Sequence, residues 1–274
     1  MGKYKLLALD LDGTLTNKKK EVSENNIRYI NEAQKRGVEV ILASGRPLLG
    51  IKKIADQLDL WTSGGYILAY NGGQIIDCKT GADIEKKLVP MEYYHEICEV
   101  GKKFNVYPLS YNNEGVICEN DEAKYVVKEA YNNSIPIIKV DSLEESIKSP
   151  VVKFMVVGEP DELQNAYQYL SSLFKDKLNV FFSEPYFLEI TPLGIEKASA
   201  LEKLLNHLGI AREQLMACGD GLNDIPMLKY AGLAVAMGNA YDETKKYADY
   251  ISATNEEDGV AEAIKRFILE EKLC

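Results

Sequence analysis

The feature that most constrains the fold is a short apolar run that ends abruptly in acidic residues. Residues 6–9 are all apolar, and the segment Asp10-Leu11-Asp12-Gly13-Thr14 follows directly. A run of this length is typical of a strand buried on both faces, the kind found in parallel sheets. In open α/β sheets the ligand site lies beyond the carboxyl ends of the strands. The acidic residues are therefore candidates for a functional site.

The spacing of Asp10 and Asp12 favours metal-assisted phosphoryl chemistry. In a strand-like conformation, residues i and i+2 point to the same side, and two adjacent carboxylates repel each other unless a cation lies between them. Mg2+ takes oxygen ligands, one carboxylate beside it could attack a phosphoryl group, and the other could pass a proton to the leaving oxygen. Gly13 lets the backbone approach an anion. The alternative is an ordinary Asp-Gly turn after a strand.

Composition and charge exclude several classes of partner. The 274 residues carry a net charge of −10, which disfavours nucleic acids and anionic membranes. No apolar stretch approaches the ~20 residues of a membrane helix, and the N-terminal residues have no signal-peptide layout. The five cysteines are odd in number and widely spaced, which argues against a zinc site or a disulfide framework. They are Cys78, Cys98, Cys118, Cys218 and Cys274. We expect a soluble cytoplasmic protein.

The chain length favours two domains, and the sequence pattern changes twice along it. Residues 1–83 alternate between strand and helix patterns, which predicts βαβ units and a parallel sheet. Residues 84–186 are looser and rich in Tyr and Asn, and we predict that they form a separate inserted α/β domain. Its first predicted strand is 85–88. The first pattern resumes over 187–274, and the predicted strand 187–191 is assigned to the core.

Polar residues also follow the second and third predicted strands. The hydroxyl of Ser44 could bind a phosphate oxygen or cap the helix that follows. Arg46, after Gly45, could clamp a substrate anion, or it could be a solvent-exposed arginine. Asn71 could face the substrate, although Asn-Gly is also a common tight-turn signal.

The last third of the chain adds a lysine and two carboxylates. Lys197 lies near the start of a predicted helix, where the helix dipole disfavours a cation. Neutralising a phosphoryl group would explain it, and a solvated lysine is the alternative. Asp220 and Asp224 flank a glycine-containing turn at a helix N-terminus. Either Asn223 or Asp224 could simply cap this helix, but capping does not explain Asp220 and Gly221 as well. These carboxylates can meet those of the first strand only if the strands are neighbours.

Four ordered motifs resemble those of the haloacid dehalogenase-like hydrolase superfamily. They are Asp10-Leu11-Asp12-Gly13-Thr14, Ala43-Ser44-Gly45-Arg46, Lys197 and Gly219-Asp220-Gly221-Leu222-Asn223-Asp224. The insertion before Lys197, preceded by Asn71-Gly72-Gly73, is similar to that of Cof-type phosphatases with a large α/β cap. The resemblance implies a Rossmann-like, doubly wound parallel sheet core and an inserted α/β cap domain. We expect the inserted domain to close over the site and set specificity.

The resemblance also implies roles for individual residues. Asp10 would be the nucleophile that forms an aspartyl-phosphate, and Asp12 the general acid/base. Mg2+ would be held by Asp10, the backbone carbonyl of Asp12, and Asp220, with support from Asp224. Ser44 and Lys197 would bind phosphate, and Asn223 would lie near it. The remaining candidates for phosphate or substrate binding are Gly45, Arg46 and Asn71.

One motif departs from the family pattern. The family often has a small or polar residue before the motif lysine and a glycine after it, whereas this chain has Glu196 and Ala198. These residues could weaken phosphate binding or change substrate preference, but they remove no catalytic group.

Together these patterns predict a Mg2+-dependent phosphatase. Its partner would be a small phosphorylated metabolite, such as a sugar phosphate, and the protein would be a monomer or small homo-oligomer. A phosphomutase on the same scaffold shares the aspartyl-phosphate and differs in its product. A non-catalytic, phospho-accepting receiver domain also clusters acidic residues, a hydroxyl and a lysine. Receivers, however, have about half this length or less.

Overall fold

The apolar run at the start of the chain forms the strand around which the first sheet is built. In a computed structural model, which describes residues 3–270, Leu6–Leu9 form β1, and every residue of this strand is buried. Parallel strands pair with it on both sides, Glu39–Ala43 on one and Leu215–Gly219 on the other. A central parallel strand is covered on both faces, which explains its uninterrupted apolar sequence.

The described residues form two sheets and the helices that pack on them. The strands are, in chain order, β1, β2 (Glu39–Ala43), β3 (Tyr66–Ala69), β4 (Gln74–Asp77), β5 (Asp83–Lys86), β6 (Tyr107–Tyr111), β7 (Val116–Cys118), β8 (Ile137–Lys139), β9 (Phe154–Val157), β10 (Leu178–Glu184), β11 (Phe187–Pro192), β12 (Leu215–Gly219), β13 (Leu233–Ala236) and β14 (Tyr250–Ile251). The α-helices are α1 (Glu24–Lys35), α2 (Leu48–Gln57), α3 (Leu60–Ser63), α4 (Tyr94–Phe104), α5 (Lys124–Asn133), α6 (Leu143–Ser146), α7 (Pro160–Leu173), α8 (Lys197–Leu208), α9 (Ile225–Tyr230), α10 (Asp242–Lys245) and α11 (Gly259–Ile264).

The chain divides into two units, each with its own sheet. The first comprises the described residues of Met1–Gly45, Ile51–Glu85 and Glu196–Cys274. Its eight strands lie in the order β14-β13-β12-β1-β2-β3-β4-β5, and the pairs from β14 to β3 are parallel. This arrangement confirms the predicted α/β class with a parallel sheet core. It also places the carboxyl ends of β1, β2 and β12 side by side, where ligand sites occur in such sheets.

Helix α8 packs on one face of the first sheet and starts at a predicted functional residue. Leu201, Leu204 and Leu205 of α8 share a buried apolar cluster with Leu6 and Ala8 of β1. The helix ends where Gly209 adopts a left-handed backbone conformation with φ of 65°, which glycine allows without a steric penalty. Packing against β1 therefore fixes the position of Lys197, the first residue of α8.

The second unit comprises Arg46–Gly50 and Lys86–Ile195. Its six strands lie in the order β10-β11-β9-β6-β7-β8, and all of the pairs are antiparallel except β7 with β8. Helices α4 and α7 pack on one face of this sheet around the side chains of Phe154, Leu188 and Ile190. The inserted segment is therefore an α/β unit with its own apolar core.

Two predicted boundaries differ from the structure. The strand predicted at 85–88 is β5, which begins at Asp83 and lies at the edge of the first sheet instead of opening the inserted unit. It follows β4, an unpredicted strand antiparallel to β3. The turn between β3 and β4 uses left-handed backbone at Tyr70 and Asn71. The Asn-Gly signal therefore does mark a tight turn here.

The strand predicted at 187–191 also lies in a different sheet. It forms β11, which pairs with β10 and β9 in the second unit, so its assignment to the core was wrong. The physical reason is strand pairing: β11 hydrogen-bonds to β9 and β10, and Leu188 and Ile190 then pack in the apolar core of the second unit. The first unit resumes at Glu196.

A buried polar network lies within the second unit. The carboxylate of Glu129 accepts hydrogen bonds from the Tyr111 hydroxyl at 2.6 Å and from the Asn133 amide at 2.8 Å. Burial raises the pKa of Glu129 above its usual value, against the opposing effects of the Lys153 charge and the Tyr111 hydrogen bond. A raised carboxyl pKa means that the folded state binds more protons than the unfolded chain, so stability falls as the pH rises through this range.

We expect Glu129→Gln to reverse part of this pH dependence. Glutamine keeps the oxygen that accepts both hydrogen bonds but does not titrate, so the variant should gain stability relative to the wild type as the pH rises above the ordinary pKa of a glutamate. Chemical denaturation across this range measures the difference. Glu122→Gln, at an exposed carboxylate of the same unit, is the control. A Glu129→Gln difference that is independent of pH would contradict the prediction.

Three further findings concern predictions made from composition. Within residues 3–270, no helix combines the length and the apolar character needed to cross a membrane. Cys78, Cys98, Cys118 and Cys218 have free thiols. Cys274 lies outside the described residues.

Candidate active site

The chain turns sharply just after β1 and places Asp10 at the carboxyl edge of the first sheet. The backbone N–H of Leu15 donates to Asp10 O at 3.2 Å, and that of Thr16 donates to Leu11 O at 2.9 Å. Gly13 has a φ of +87°, and a Cβ at this position would overlap the carboxylate of Asp220. Glycine is therefore required at position 13 both by the backbone conformation and by the close approach of Asp220, which lies in the loop after β12.

After this turn, the two carboxylates that the sequence predicts to lie side by side differ in their partners and in their exposure. Asp10 is buried and pairs with Lys197, whereas the side chain of Asp12 is 39% exposed and pairs with Lys20. The strand ends at Leu9, so the alternation rule for extended strands does not apply to residues 10–12.

Lys197 is the buried centre of the site. Its Nζ donates to Asp10 Oδ1 and to Asp224 Oδ1, both at 2.6 Å, and none of its side chain is exposed. Burial opposes its charge, but the two carboxylates outweigh burial and raise the pKa of Lys197. The placement of a lysine at a helix start, against the helix dipole, is thus explained by two acidic partners.

Asp224 joins the lysine to the loop after β12. While its Oδ1 accepts from Lys197, its Oδ2 accepts the backbone N–H groups of Asp220 at 3.0 Å and Gly221 at 2.9 Å. A carboxylate with three donors is held in one orientation. Asp224 therefore fixes the acidic loop relative to Lys197.

Asp220 lies on the other side of the cluster, beside the first loop. Thr14 Oγ1 donates to Asp220 Oδ1 at 2.8 Å, so a hydroxyl of the Asp10 loop orients the carboxylate of the second loop. Thr14 is part of the quoted first motif, but its role was not predicted. A hydroxyl residue two positions after the second aspartate of the motif was the available signal.

The three carboxylates converge closely enough to share a metal ion. Oxygens of Asp10, Asp220 and Asp224 lie within 4.8 Å of one another. Carboxylate oxygens are the ligands that hard divalent cations prefer, so the donor set fits such an ion. The Asp12 side chain does not belong to this cluster, and the predicted contribution of its backbone carbonyl stays a prediction.

The electrostatics of the cluster also favour an added cation. Burial, and next the charge of Asp224, raise the pKa of Asp10 to about 8, with Lys197 opposing. Burial raises the pKa of Asp220 to about 6, while the hydrogen bond from Thr14 opposes the shift. Within the described part of the chain, the cluster contains three carboxyl groups but only the one ammonium group of Lys197. A divalent cation bound there would favour the ionised forms of the carboxyl groups.

The predicted phosphate-binding residues of β2 and β3 meet at the same edge of the sheet. The carbonyl of Ser44 accepts the backbone N–H of Asn71 at 2.8 Å, and Ser44 itself is buried. A Cβ on Gly45 would lie 3.2 Å from the Asn71 amide nitrogen. Asn223 Nδ2 donates to Asn71 Oδ1 at 3.3 Å. The structure thus brings Asn71 together with Ser44, Gly45 and Asn223.

Arg46 lies in the second unit. Its guanidinium is buried, and Nη1 donates to the Gly50 carbonyl at 3.2 Å. The alternative prediction, a solvent-exposed arginine, is therefore wrong. Its predicted contact with substrate stays a prediction.

The two departures from the family motif flank Lys197 without displacing it. Glu196 is exposed and precedes the helix, and Ala198 is half-buried in its first turn. Nearby, Gly72 packs so closely that a Cβ there would overlap Ala200. The lysine keeps both acidic partners.

Comparison with known proteins identifies the family. A family model described as haloacid dehalogenase-like hydrolase matches residues 7–264. The chain belongs to the haloacid dehalogenase-like hydrolases. Members generally use a divalent metal, which the acidic cluster of this hydrolase fits.

Similar proteins of this superfamily are phosphatases. The chain is 36% identical to 5-amino-6-(5-phospho-D-ribitylamino)uracil phosphatase YcsE of Bacillus subtilis, over 97% of this chain and 96% of that protein. It is 31% identical to phosphatase YwpJ of Bacillus subtilis, over 96% and 100%. This haloacid dehalogenase-like hydrolase is therefore a phosphatase.

Solved structures agree with this assignment. A haloacid dehalogenase-like hydrolase from Bacteroides thetaiotaomicron superposes with a TM-score of 0.94 and 44% identity, covering 96% of this chain and 99% of that one. The subclass IIB sugar phosphatase BT4131 superposes with a TM-score of 0.76 and 25% identity, covering 96% and 98%. Both share the fold of this phosphatase across nearly its whole length.

Proposed function

We propose that this phosphatase hydrolyses small phosphomonoesters through an aspartyl-phosphate on Asp10, with Mg2+ as its metal. The observation that carries the proposal is the buried ammonium of Lys197, 2.6 Å from Asp10 Oδ1 and 2.6 Å from Asp224 Oδ1. Asp220 completes a set of three carboxylates whose oxygens lie within 4.8 Å of one another. One carboxylate at the sheet edge, next to a fixed cation and an acidic metal cluster, suits phosphoryl transfer.

In the proposed reaction, Asp10 is the nucleophile. A carboxylate oxygen of Asp10 attacks phosphorus as the bond from phosphorus to the ester oxygen breaks, and Asp12 protonates the leaving oxygen. Water then attacks the phosphoryl group, Asp12 accepts a proton from it, and the bond between phosphorus and Asp10 breaks. Lys197 balances negative charge in both steps. When bound to Asp10, Asp220 and the Asp12 carbonyl, Mg2+ would neutralise phosphoryl oxygens.

The remaining site residues are proposed to bind the phosphate and orient the loops. Ser44, Gly45, Asn71 and Asn223 lie together at the sheet edge, and their hydroxyl, N–H and amide groups suit phosphoryl oxygens. Arg46, which directly follows Gly45 in the sequence, is proposed to bind substrate.

Similar proteins narrow the proposed substrates to phosphorylated sugars and ribityl compounds. YcsE is named for its action on a phosphoribitylamino-uracil, and BT4131 is described as a sugar phosphatase. We propose that this enzyme acts on one of these two classes. Both classes carry a phosphate ester on a polyhydroxylated carbon chain.

A metabolite panel tests the proposed function. We expect phosphate release from at least one sugar phosphate or ribityl phosphate, with Mg2+ required and the dephosphorylated product formed in equal amount. Conversion between isomeric phosphates without free phosphate would identify a phosphomutase instead. Stoichiometric phosphorylation of the protein without turnover would contradict hydrolysis.

The metal assignment predicts a distinct phenotype for Asp220→Ala. Removing this carboxylate takes one of three clustered donors away, so the Mg2+ concentration for half-maximal activity should rise by about 10-fold or more. Kinetic Mg2+ titration, together with calorimetric titration of the ion, measures the change. An unchanged titration would exclude Asp220 as a ligand. Glu202→Ala, at an exposed acidic residue of α8 in the same unit, is the control.

A further inference from the structure

One segment of the first unit bonds to both loops of the active site. It runs from the end of β13 to the start of α11. The backbone N–H of Tyr241 donates to Asp220 O at 3.2 Å, and Thr244 Oγ1 donates to Gly221 O at 3.0 Å. Two asparagines of the same segment, Asn239 and Asn255, bond to the loop that carries Asp10. The segment therefore links the two loops that hold the carboxylate cluster.

The side chain of Asn239 uses both ends of its amide. Its Nδ2 donates to the carbonyl of Gly13 at 2.8 Å, and its Oδ1 accepts the backbone N–H of Asn255 at 2.9 Å. Gly13 is the residue whose left-handed backbone allows Asp220 to approach. Asn239 thus fixes the peptide group that joins Gly13 to Thr14, the residue whose hydroxyl orients Asp220.

Asn255 continues the connection towards the far end of the loop. Its Nδ2 donates to the carbonyl of Thr16 at 2.8 Å. Thr16 closes the loop onto Leu11, because both its backbone N–H and its hydroxyl donate to Leu11 O at 2.9 Å. The two asparagines therefore hold the turn at two carbonyls, one on either side of Thr14.

We propose that Asn239 and Asn255 form an amide clamp that positions the loop 10–16 for phosphoryl transfer. The clamp is defined by the side chains of these two residues, which act as positioning residues and do not touch the reacting atoms. Its effect on catalysis rests on the proposed function. The clamp matters because the nucleophile, the acid/base and the hydroxyl partner of Asp220 all lie on this loop. Small displacements of such groups reduce rates strongly.

Because Asn239 is exposed, its effect on loop position can be measured without a large effect on stability. Asn239 is exposed, so its replacement by alanine leaves the Gly13 carbonyl accessible to water instead of buried without a partner. The variant should fold with a melting temperature close to that of the wild type. A loss of activity would then reflect loop position.

The test uses Asn239→Ala, Asn255→Ala and the double variant in the full-length enzyme. For Asn239→Ala we expect kcat for p-nitrophenyl phosphate to fall by about 10- to 100-fold, with KM within ~3-fold of the wild-type value. Hydrogen exchange of peptides that cover residues 10–16 should be faster. The double variant should lose little more activity than the worse single variant, because residues that act as one unit give non-additive effects.

Two controls separate the clamp from general destabilisation. Asn206→Ala removes an exposed asparagine of α8 whose side chain has no hydrogen bond among the described residues, and should match the wild type in kcat and exchange. Ile30→Val removes a methylene group from a fully buried side chain in α1. It should lower the melting temperature without the fall in kcat.

The outcomes distinguish failure of the clamp from failure of the proposed function. Wild-type kcat in both single variants would overturn the clamp, and so would unchanged exchange of residues 10–16. A fall in kcat that Ile30→Val reproduces would also overturn it. If the wild-type enzyme turned over no phosphoester, the proposed function would fail, while hydrogen exchange and calorimetric Mg2+ titration of Asn239→Ala would still test the clamp. Faster exchange with weaker Mg2+ binding would then support it.

Discussion

Asp10→Asn is expected to reduce phosphate release by on the order of 10^4-fold or more, because an amide cannot replace the carboxylate as a nucleophile. The fold should persist. Asparagine has the same shape, and its oxygen can still accept the hydrogen bond that Lys197 donates to Asp10 Oδ1. Steady-state turnover of the best substrate in the metabolite panel, with circular dichroism and thermal melting of the same samples, measures both expectations.

A matched substitution outside the site controls for the change of charge. Asp176 is exposed and has a φ of 61°, a conformation that asparagine also tolerates. Asp176→Asn should therefore fold and turn over substrate as the wild type does. If Asp10→Asn retained more than about 1% of wild-type turnover, Asp10 would not be the nucleophile.

Lys197→Met is expected to lose activity and also much stability. Methionine fills a similar volume but removes the ammonium that two buried carboxylates, Asp10 and Asp224, share. Breaking a buried pair by removing one partner typically lowers the free energy of unfolding by ~3–5 kcal/mol. Chemical denaturation in the presence of a metal chelator measures this loss without compensation by a bound cation.

The same helix supplies the control for Lys197→Met. Lys203 pairs with Glu85 at the surface, and an exposed pair contributes only ~0–1 kcal/mol. Lys203→Met should therefore be nearly as stable as the wild type and fully active. The double variant Lys197→Met, Asp224→Asn should regain part of the stability and none of the activity. Equal stability of Lys197→Met and Lys203→Met would disprove the buried pair.

The sequence allowed site residues to be predicted where a polar or charged side chain lies at the end of a strand or the start of a helix. Asp10 directly follows a short apolar run and Asp220 follows another after Gly219, and neighbouring parallel strands bring the two carboxylates together. Lys197 stood out because the helix dipole disfavours a cation at a helix start, so that a negative group was expected beside it. In these cases local patterns and the topology of parallel sheets determine position, so spacing along the chain was sufficient.

The rest of the site depends on contacts that spacing does not encode. The orientation of Asp12 follows from a turn closed by hydrogen bonds to Leu11 and Asp10, which the alternation rule for strands could not anticipate. Strand β11 carries the apolar alternation of either sheet, and only its partners decide between them. Asn239 contacts Gly13 across 226 positions of the sequence.

The most direct test of the account is to locate the phosphoryl group during turnover. Asp12→Ala should slow dephosphorylation, so acid quenching within the first turnover should trap the covalent intermediate. We predict that mass spectrometry of the digested protein finds the phosphoryl group on Asp10, and that the double variant Asp10→Asn, Asp12→Ala carries none. A phosphoryl group on any other residue would contradict the assignment of Asp10 as the nucleophile.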